Sequence, residues 1–254
     1  MTAMRPLRRL VLAFIMLALP AQAANLVFMI GEEEYLTWET LPEFAKKDIE
    51  PLGHRVAIIH ADMADKNNFP GLVAALKDAD LLLVSVRRRT PLKEQLDAVR
   101  AHLAAGKPLI GIRTASHAFA LRPKDKLVDD KHANWQEFDP EVLGGNYHDH
   151  HRGEDKTICT VAAGAESHPI LKGITLGELI GNGTLYKNAP LAQTATPLLI
   201  GTIPDQPAEP VAWAHRFGPQ QAKIFYTSLG HPDDFKESDF RKLLLNAIAW
   251  ALGP

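Results

Sequence analysis

The 254-residue chain sets 28 lysines and arginines against 30 aspartates and glutamates, a net charge of −2 with its 11 histidines neutral. That balance leaves no basic footprint for nucleic acid and gives no reason to expect binding to an anionic membrane surface. The only cysteine, Cys159, excludes an internal disulfide, and its place in the β-prone run 157–161 suits a small buried hydrophobe better than a nucleophile.

Taken in order, the chain opens on Arg5, Arg8 and Arg9, followed by apolar residues 10–19 and the small-x-small triplet Ala21-Gln22-Ala23. The apolar run is short for a bilayer span, so residues 1–23 are expected to be a signal peptide cut after Ala23. The mature protein is then expected to be periplasmic or secreted and not membrane-embedded. Residues 24–254, about 230, fit one α/β domain.

Strands are expected at 26–30, 54–59 and 81–86, and a fourth begins at Pro108. Between them lie three helical patterns. The first is capped by Thr37 or Thr40 and buries Leu41, Phe44, Ala45 and Ile49. The second covers 69–79, and the third starts at Thr90-Pro91 and runs to about Ala105. This alternation predicts a doubly wound, mostly parallel sheet with helices on both faces. Further strands are expected at 157–162, 198–202, 210–215 and 223–228. A terminal helix capped by Ser238 or Asp239 carries Phe240, Leu243, Leu244, Ala247, Ile248 and Ala251 on one face.

Four strand exits are more polar than a sheet requires: Glu32 to Glu34, Arg87 to Arg89, Arg113 to His117, and His231 to Asp234. In open α/β sheets ligands bind beyond the carboxyl ends of the strands, so these groups are expected to converge. His148 and His150 are two apart and share a face on an extended backbone, which suits a pair of ligands to a divalent metal such as zinc or manganese. A hydrogen-bonded loop would give the same pattern. Trp135, Tyr147, Tyr186 and Trp213 are core or pocket-wall candidates. Ser116, near the start of a helical turn, reads as a cap rather than a nucleophile.

Several stretches carry a family resemblance: Gly111 to Phe119 (GIRTASHAF), Leu143 to His148 (LGGNYH), Ser167 to Gly173 (SHPILKG), Leu185-Tyr186, Pro210 to Trp213 (PVAW), and Phe225 to Pro232 (FYTSLGHP). As a set they resemble the ThuA-like (trehalose-utilisation) family, within the class I glutamine-amidotransferase-like, flavodoxin-like fold. The resemblance places Arg113 where amidotransferases hold the nucleophilic cysteine of a strand-to-helix elbow, and His231-Pro-Asp233 where they hold the late histidine and acid. An arginine stays protonated and cannot attack a carbonyl, which argues against glutamine hydrolysis.

What the resemblance implies is an enzyme acting on a carbohydrate or keto-sugar derivative, as hydrolase, lyase or isomerase. His117, His148 and His231 would do the acid/base work, and Asp233 would orient His231. Arg113, Arg87, Glu32 and Tyr147 would contact the substrate. Two alternatives stand beside it: a non-catalytic sugar- or partner-binding module, and a metal-dependent hydrolase using His148 and His150. A small-molecule, sugar-like partner is expected, with no nucleic acid, and the chain is compatible with a homodimer.

Overall fold

The computed structural model describes residues 23–153, 155–175 and 179–253, so the expected signal peptide lies outside the described residues apart from Ala23. No helix among the described residues is long and apolar enough to cross a membrane. The strands are β1 (Asn25–Gly31), β2 (Arg55–His60), β3 (Leu81–Val86), β4 (Leu109–Ile112), β5 (Asp149–His150), β6 (Thr157–Val161), β7 (Ile180–Gly181), β8 (Tyr186–Lys187), β9 (Thr196–Thr202), β10 (Glu209–Phe217) and β11 (Ala222–Thr227). Nine form one sheet in the order β2-β1-β3-β4-β11-β10-β9-β6-β7, and β5 pairs with β8.

The first five strands of that order run parallel, as expected, and the rest form an antiparallel extension. Side-chain alternation shows why helices cover both faces of the parallel half. Leu26, Phe28 and Ile30 of β1 enter one core with Leu41, Phe44 and Phe240, while Val27 and Met29 enter the other with Leu72, Leu96 and Val99. The α-helices among the described residues are α1 (Thr37–Phe44), α2 (Leu72–Lys77), α3 (Lys93–Ala104) and α4 (Ser238–Leu252). α1 and α4 line the first core; α2 and α3 line the second. Cys159 is buried, and that burial pushes its thiol pKa up to about 12.

None of the helices starts on the side-chain cap expected for it. α1 begins after Leu36, which sits at φ 52, with no cap from Thr37 or Thr40. Instead the buried Glu32 carboxylate accepts from the backbone N–H groups of Glu34 and Tyr35, both at 2.7 Å, and of Thr37 at 2.8 Å. It also accepts from the Thr37 hydroxyl at 2.5 Å. Thr90 gives its N–H to Asn67 at 2.9 Å, and α3 starts only at Lys93. At α4, Glu237 holds the cap position and Asp239 accepts from the Thr175 N–H at 2.9 Å.

Glu32 therefore satisfies four donors in a buried turn. Glu32→Ala is expected to lower stability by about 3 kcal/mol in urea unfolding, since buried donors left without an acceptor carry their full desolvation cost. Glu39→Ala, at an exposed site on the same helix, should stay within about 0.5 kcal/mol.

Candidate active site

β4 runs directly into a tight 3-10 turn, Arg113–His117, in which all five residues are buried. Arg113 enters it at φ 47. For an arginine this left-handed conformation costs on the order of 1–2 kcal/mol, so the surrounding structure must hold it. Tyr226 does so from β11, its hydroxyl donating to the Arg113 carbonyl at 2.7 Å. Of the five non-glycine residues with positive φ among the described residues, three (Leu36, Arg88 and Arg113) lie at the exits of β1, β3 and β4.

The Arg113 side chain is 2% exposed as a residue and turns its guanidinium into a cage. One nitrogen donates to the Ser228 carbonyl at 2.7 Å; the other reaches the Tyr35 hydroxyl at 3.2 Å and the Thr184 hydroxyl at 3.3 Å. The Tyr35 ring lies 4.1 Å from the guanidinium carbon and the Tyr186 ring 4.6 Å. Gly183 packs so close that any Cβ there would fall on the guanidinium. Burial opposes the charge, but Tyr186, Tyr35 and Asp234 outweigh it and push the pKa up.

This cage is the middle of a longer row of flat groups. Tyr147 lies 4.7 Å from Tyr186 and stacks on His117 at 4.5 Å, with 26° between the ring planes. On the other side the Tyr35 ring meets His231 edge-on at 6.4 Å. The sequence of planes is His117, Tyr147, Tyr186, Arg113, Tyr35, His231, with a histidine at each end.

The two histidines present different chemistry. The Ser116 hydroxyl donates to the Arg113 carbonyl at 3.3 Å and lies 3.1 Å from His117 Nδ1. Assigning the Ser116 proton to that carbonyl makes Nδ1–H the donor to Ser116 and leaves the lone pair on His117 Nε2. Burial, with Arg88, Arg87, Arg113 and Arg122 adding repulsion, holds the His117 pKa well below its ordinary value. At His231 the Asp233 N–H donates to Nδ1 at 3.2 Å, so the proton of the neutral ring sits on Nε2. Burial also lowers the His231 pKa, against the pull of Asp234 and Asp233.

The other expected site residues fall at different depths. Asp233 lies at the surface with Lys236 and reaches His231 Nδ1 only at 3.6 Å. Its neighbour Asp234 is buried and shapes the loop, accepting from the N–H groups of Gly230 at 2.7 Å and His231 at 2.9 Å and from Asn182 at 2.8 Å. Arg87 pairs with Glu34 at 2.9 Å. Both oxygens of Glu32 are taken up by the turn that presents Tyr35. His148 is exposed and donates from Nδ1 to the Asn146 carbonyl at 2.9 Å. His150 is also exposed, 6.4 Å from the Tyr186 ring, whereas His151 turns inward. Among the described residues no three His, Cys, Asp or Glu side chains gather as a metal site.

Sequence reasoning did not single out Tyr35, Asp139 or the specific role of Asp234. Tyr35 follows the acidic run that drew attention, and nothing in His-Pro-Asp-Asp tells which aspartate turns inward. Asp139 is buried beneath the row and accepts from the Tyr147 N–H at 2.6 Å, while its other oxygen has no partner. Burial raises its pKa to about 7.

The parallel half-sheet, the strained elbow at the end of β4 and the late histidine loop after β11 define an amidotransferase-like α/β protein without a nucleophile at its elbow. The chain belongs to the trehalose-utilisation (ThuA) family, whose model matches residues 33–251. A ThuA-like protein from Bacteroides uniformis shares the fold with a TM-score of 0.65 at 18% identity, over 91% of this chain and 93% of that one. One from Parabacteroides merdae gives a TM-score of 0.61 at 16% identity, over 91% and 90%. A β-galactosidase from Rahnella sp. R3 matches through 31% of its length, covering 90% of this chain, with a TM-score of 0.53 and 12% identity. No curated protein matches the sequence significantly.

Asp139 makes stability depend on pH. Between its unfolded value near 4 and its folded value of about 7 the native state holds a proton the unfolded chain has released. Its contribution is therefore full at low pH and is lost as pH rises through 7. Asp139→Asn, which cannot ionise, is expected to be more stable than the parent by about 1–3 kcal/mol at pH 8 in urea unfolding, the difference shrinking toward pH 4. Equal stability at pH 8 would contradict the raised pKa.

Proposed function

We propose that this ThuA family member is an exported enzyme that acts on a carbohydrate or keto-sugar derivative, with His117 as general base and His231 as a hydrogen-bond donor that polarises a substrate oxygen. The observation that carries the reading is the row of planes with one neutral histidine at each end. Aromatic faces stack against the apolar side of a sugar ring, and the partly exposed Tyr35 and Tyr147 carry hydroxyls that suit its polar edge, with buried Tyr186 packed behind them. A histidine held neutral by burial is a competent base at neutral and mildly acidic pH. His231, neutral and with its proton on Nε2, complements it by hydrogen-bonding to a carbonyl oxygen and polarising it, without giving up that proton.

Glutamine hydrolysis has no support at this elbow. By the family resemblance Arg113 stands at the nucleophile position, and its two terminal guanidinium nitrogens are engaged by Ser228, Tyr35 and Thr184. Within the proposal Arg113 works by fixing the tyrosine walls, and Tyr147 forms the face that meets the ligand. Arg87 stands at the rim.

Turnover on a panel of sugars and keto-sugars tests the assignment. His117→Gln is expected to lower kcat about 100-fold while binding stays within about threefold, the signature of a group that acts in the transition state. Undiminished turnover in both His117→Gln and His231→Gln would refute it. The acidic limb of the kcat/KM profile should fall below pH 6.5, because the base stays unprotonated until its lowered pKa is reached. Export rests on the leader pattern of residues 1–23, and the protein isolated from its native source is expected to begin at Ala24 by amino-terminal mass analysis.

A further inference from the structure

The run of three arginines after β3 divides its labour unevenly. Arg87 pairs with Glu34 at 2.9 Å, and Arg89 lies 3.5 Å from Glu33 while donating to the Gly31 carbonyl at 3.1 Å. Arg88 is different. It is half-buried, and its side chain makes one hydrogen bond, to the Ala120 carbonyl at 3.3 Å. Among the described residues no carboxylate lies within ion-pair distance of it. Its backbone sits at φ 50, clamped to the elbow turn by Arg88 N–H to the His117 carbonyl at 3.0 Å and Arg89 N–H to the Ala118 carbonyl at 2.8 Å. The clamp places it against the His117 end of the row, within electrostatic range of the Tyr147 hydroxyl.

A half-desolvated guanidinium with no counter-ion, in a strained backbone, is costly unless something compensates it. The neighbours add to the cost. Burial, then Arg122, lowers the Arg88 pKa; Arg87 also repels it, and Asp125 offers the only opposing carboxylate influence. Arg88 and Arg122 also repel the protonated form of His117. Three arginines thus hold a positive potential over the His117 end of the row, and a planar guanidinium fork matches the oxygens of a carboxylate or phosphate.

We propose that Arg88, flanked by Arg87 and Arg122, is an anion-binding subsite at the His117 end of the row, so that the molecule taken by the crevice bears a carboxylate or phosphate on a sugar-sized body. This deepens the carbohydrate reading and rests on it for the body of the ligand, but not for the anion.

Calorimetric titration of the protein with D-glucose, D-glucuronate, D-glucose 6-phosphate and inorganic phosphate tests it. At least one anionic sugar is expected to bind on the order of tenfold more tightly than glucose, the worth of a charge-assisted bidentate contact, and to weaken with added salt. Which of the two binds separates a carboxylate ligand from a phosphate one. Arg88→Gly should abolish the preference, Arg88→Lys should keep part of it, and Arg100→Gln, on the exposed face of α3, should keep all of it. Glycine adopts φ 50 without penalty, so Arg88→Gly is expected to melt at or above the parent temperature, and its lost binding is then not unfolding. Equal affinity for glucose and both anionic sugars, or an anion preference that survives in Arg88→Gly, overturns the subsite. Phosphate binding that needs Arg88, without binding of any sugar, upholds the subsite and sinks the carbohydrate reading. Binding of none of the four overturns both.

Discussion

A single buried cation organises the row of rings: the Arg113 guanidinium between Tyr35 and Tyr186, at 4.1 and 4.6 Å. Those two tyrosines come from distant parts of the chain, one from the turn after β1 and the other from β8. Ser228, which accepts from the same guanidinium, follows β11. One side chain therefore ties four segments together at the carboxyl edge of the sheet. Such a charge persists away from water only with hydrogen bonds and a compensating field: carbonyls and hydroxyls take its two terminal nitrogens, two aromatic faces and the nearby Asp234 supply the field, and among the described residues the buried Nε alone is left without a partner.

That constraint sets the electrostatics around it. With a fixed positive charge at the middle of the row and arginines near one end, protonating His117 is unfavourable from several directions at once. Asp139, buried beneath Tyr147, is driven toward its neutral form by the same lack of solvent. The groups that could exchange protons are thereby separated from the group that carries permanent charge. In amidotransferase chemistry the elbow residue does the attacking; here the residue at that position holds the site together, and the histidines lie at the two ends of the row.

The parallel half of the sheet was legible in the sequence because its strands are buried on both faces, so each reads as an unbroken apolar run with turn residues at its ends. Leu81–Val86 shows this best, with observed and expected limits the same. The two-residue strands β5, β7 and β8 are too short to carry a periodic signal. Helix caps were misread for one shared reason. Thr37 and Thr90 look like caps in isolation, but Glu32 and Asn67 bind their polar groups once the chain folds, and at α4 the expected cap Asp239 turns to the Thr175 N–H instead. The four polar strand exits were visible as sequence runs, and the fold brings them to one edge. The order of planes along the row was not visible, because it depends on Tyr35 and Tyr186 closing over Arg113 across some 70 to 80 residues of chain, on the evidence of their hydrogen bonds and ring contacts.

The account turns on His117 being an unprotonated histidine in the field of buried and half-buried arginines. A proton–nitrogen NMR titration of its ring in the intact protein measures this directly, without knowledge of the substrate. The account predicts a midpoint well below 6.5 and a neutral ring with its proton on Nδ1. A midpoint at or above 6.5 would contradict it, since His117 would then be partly cationic at neutral pH and could not serve as the free base of the site.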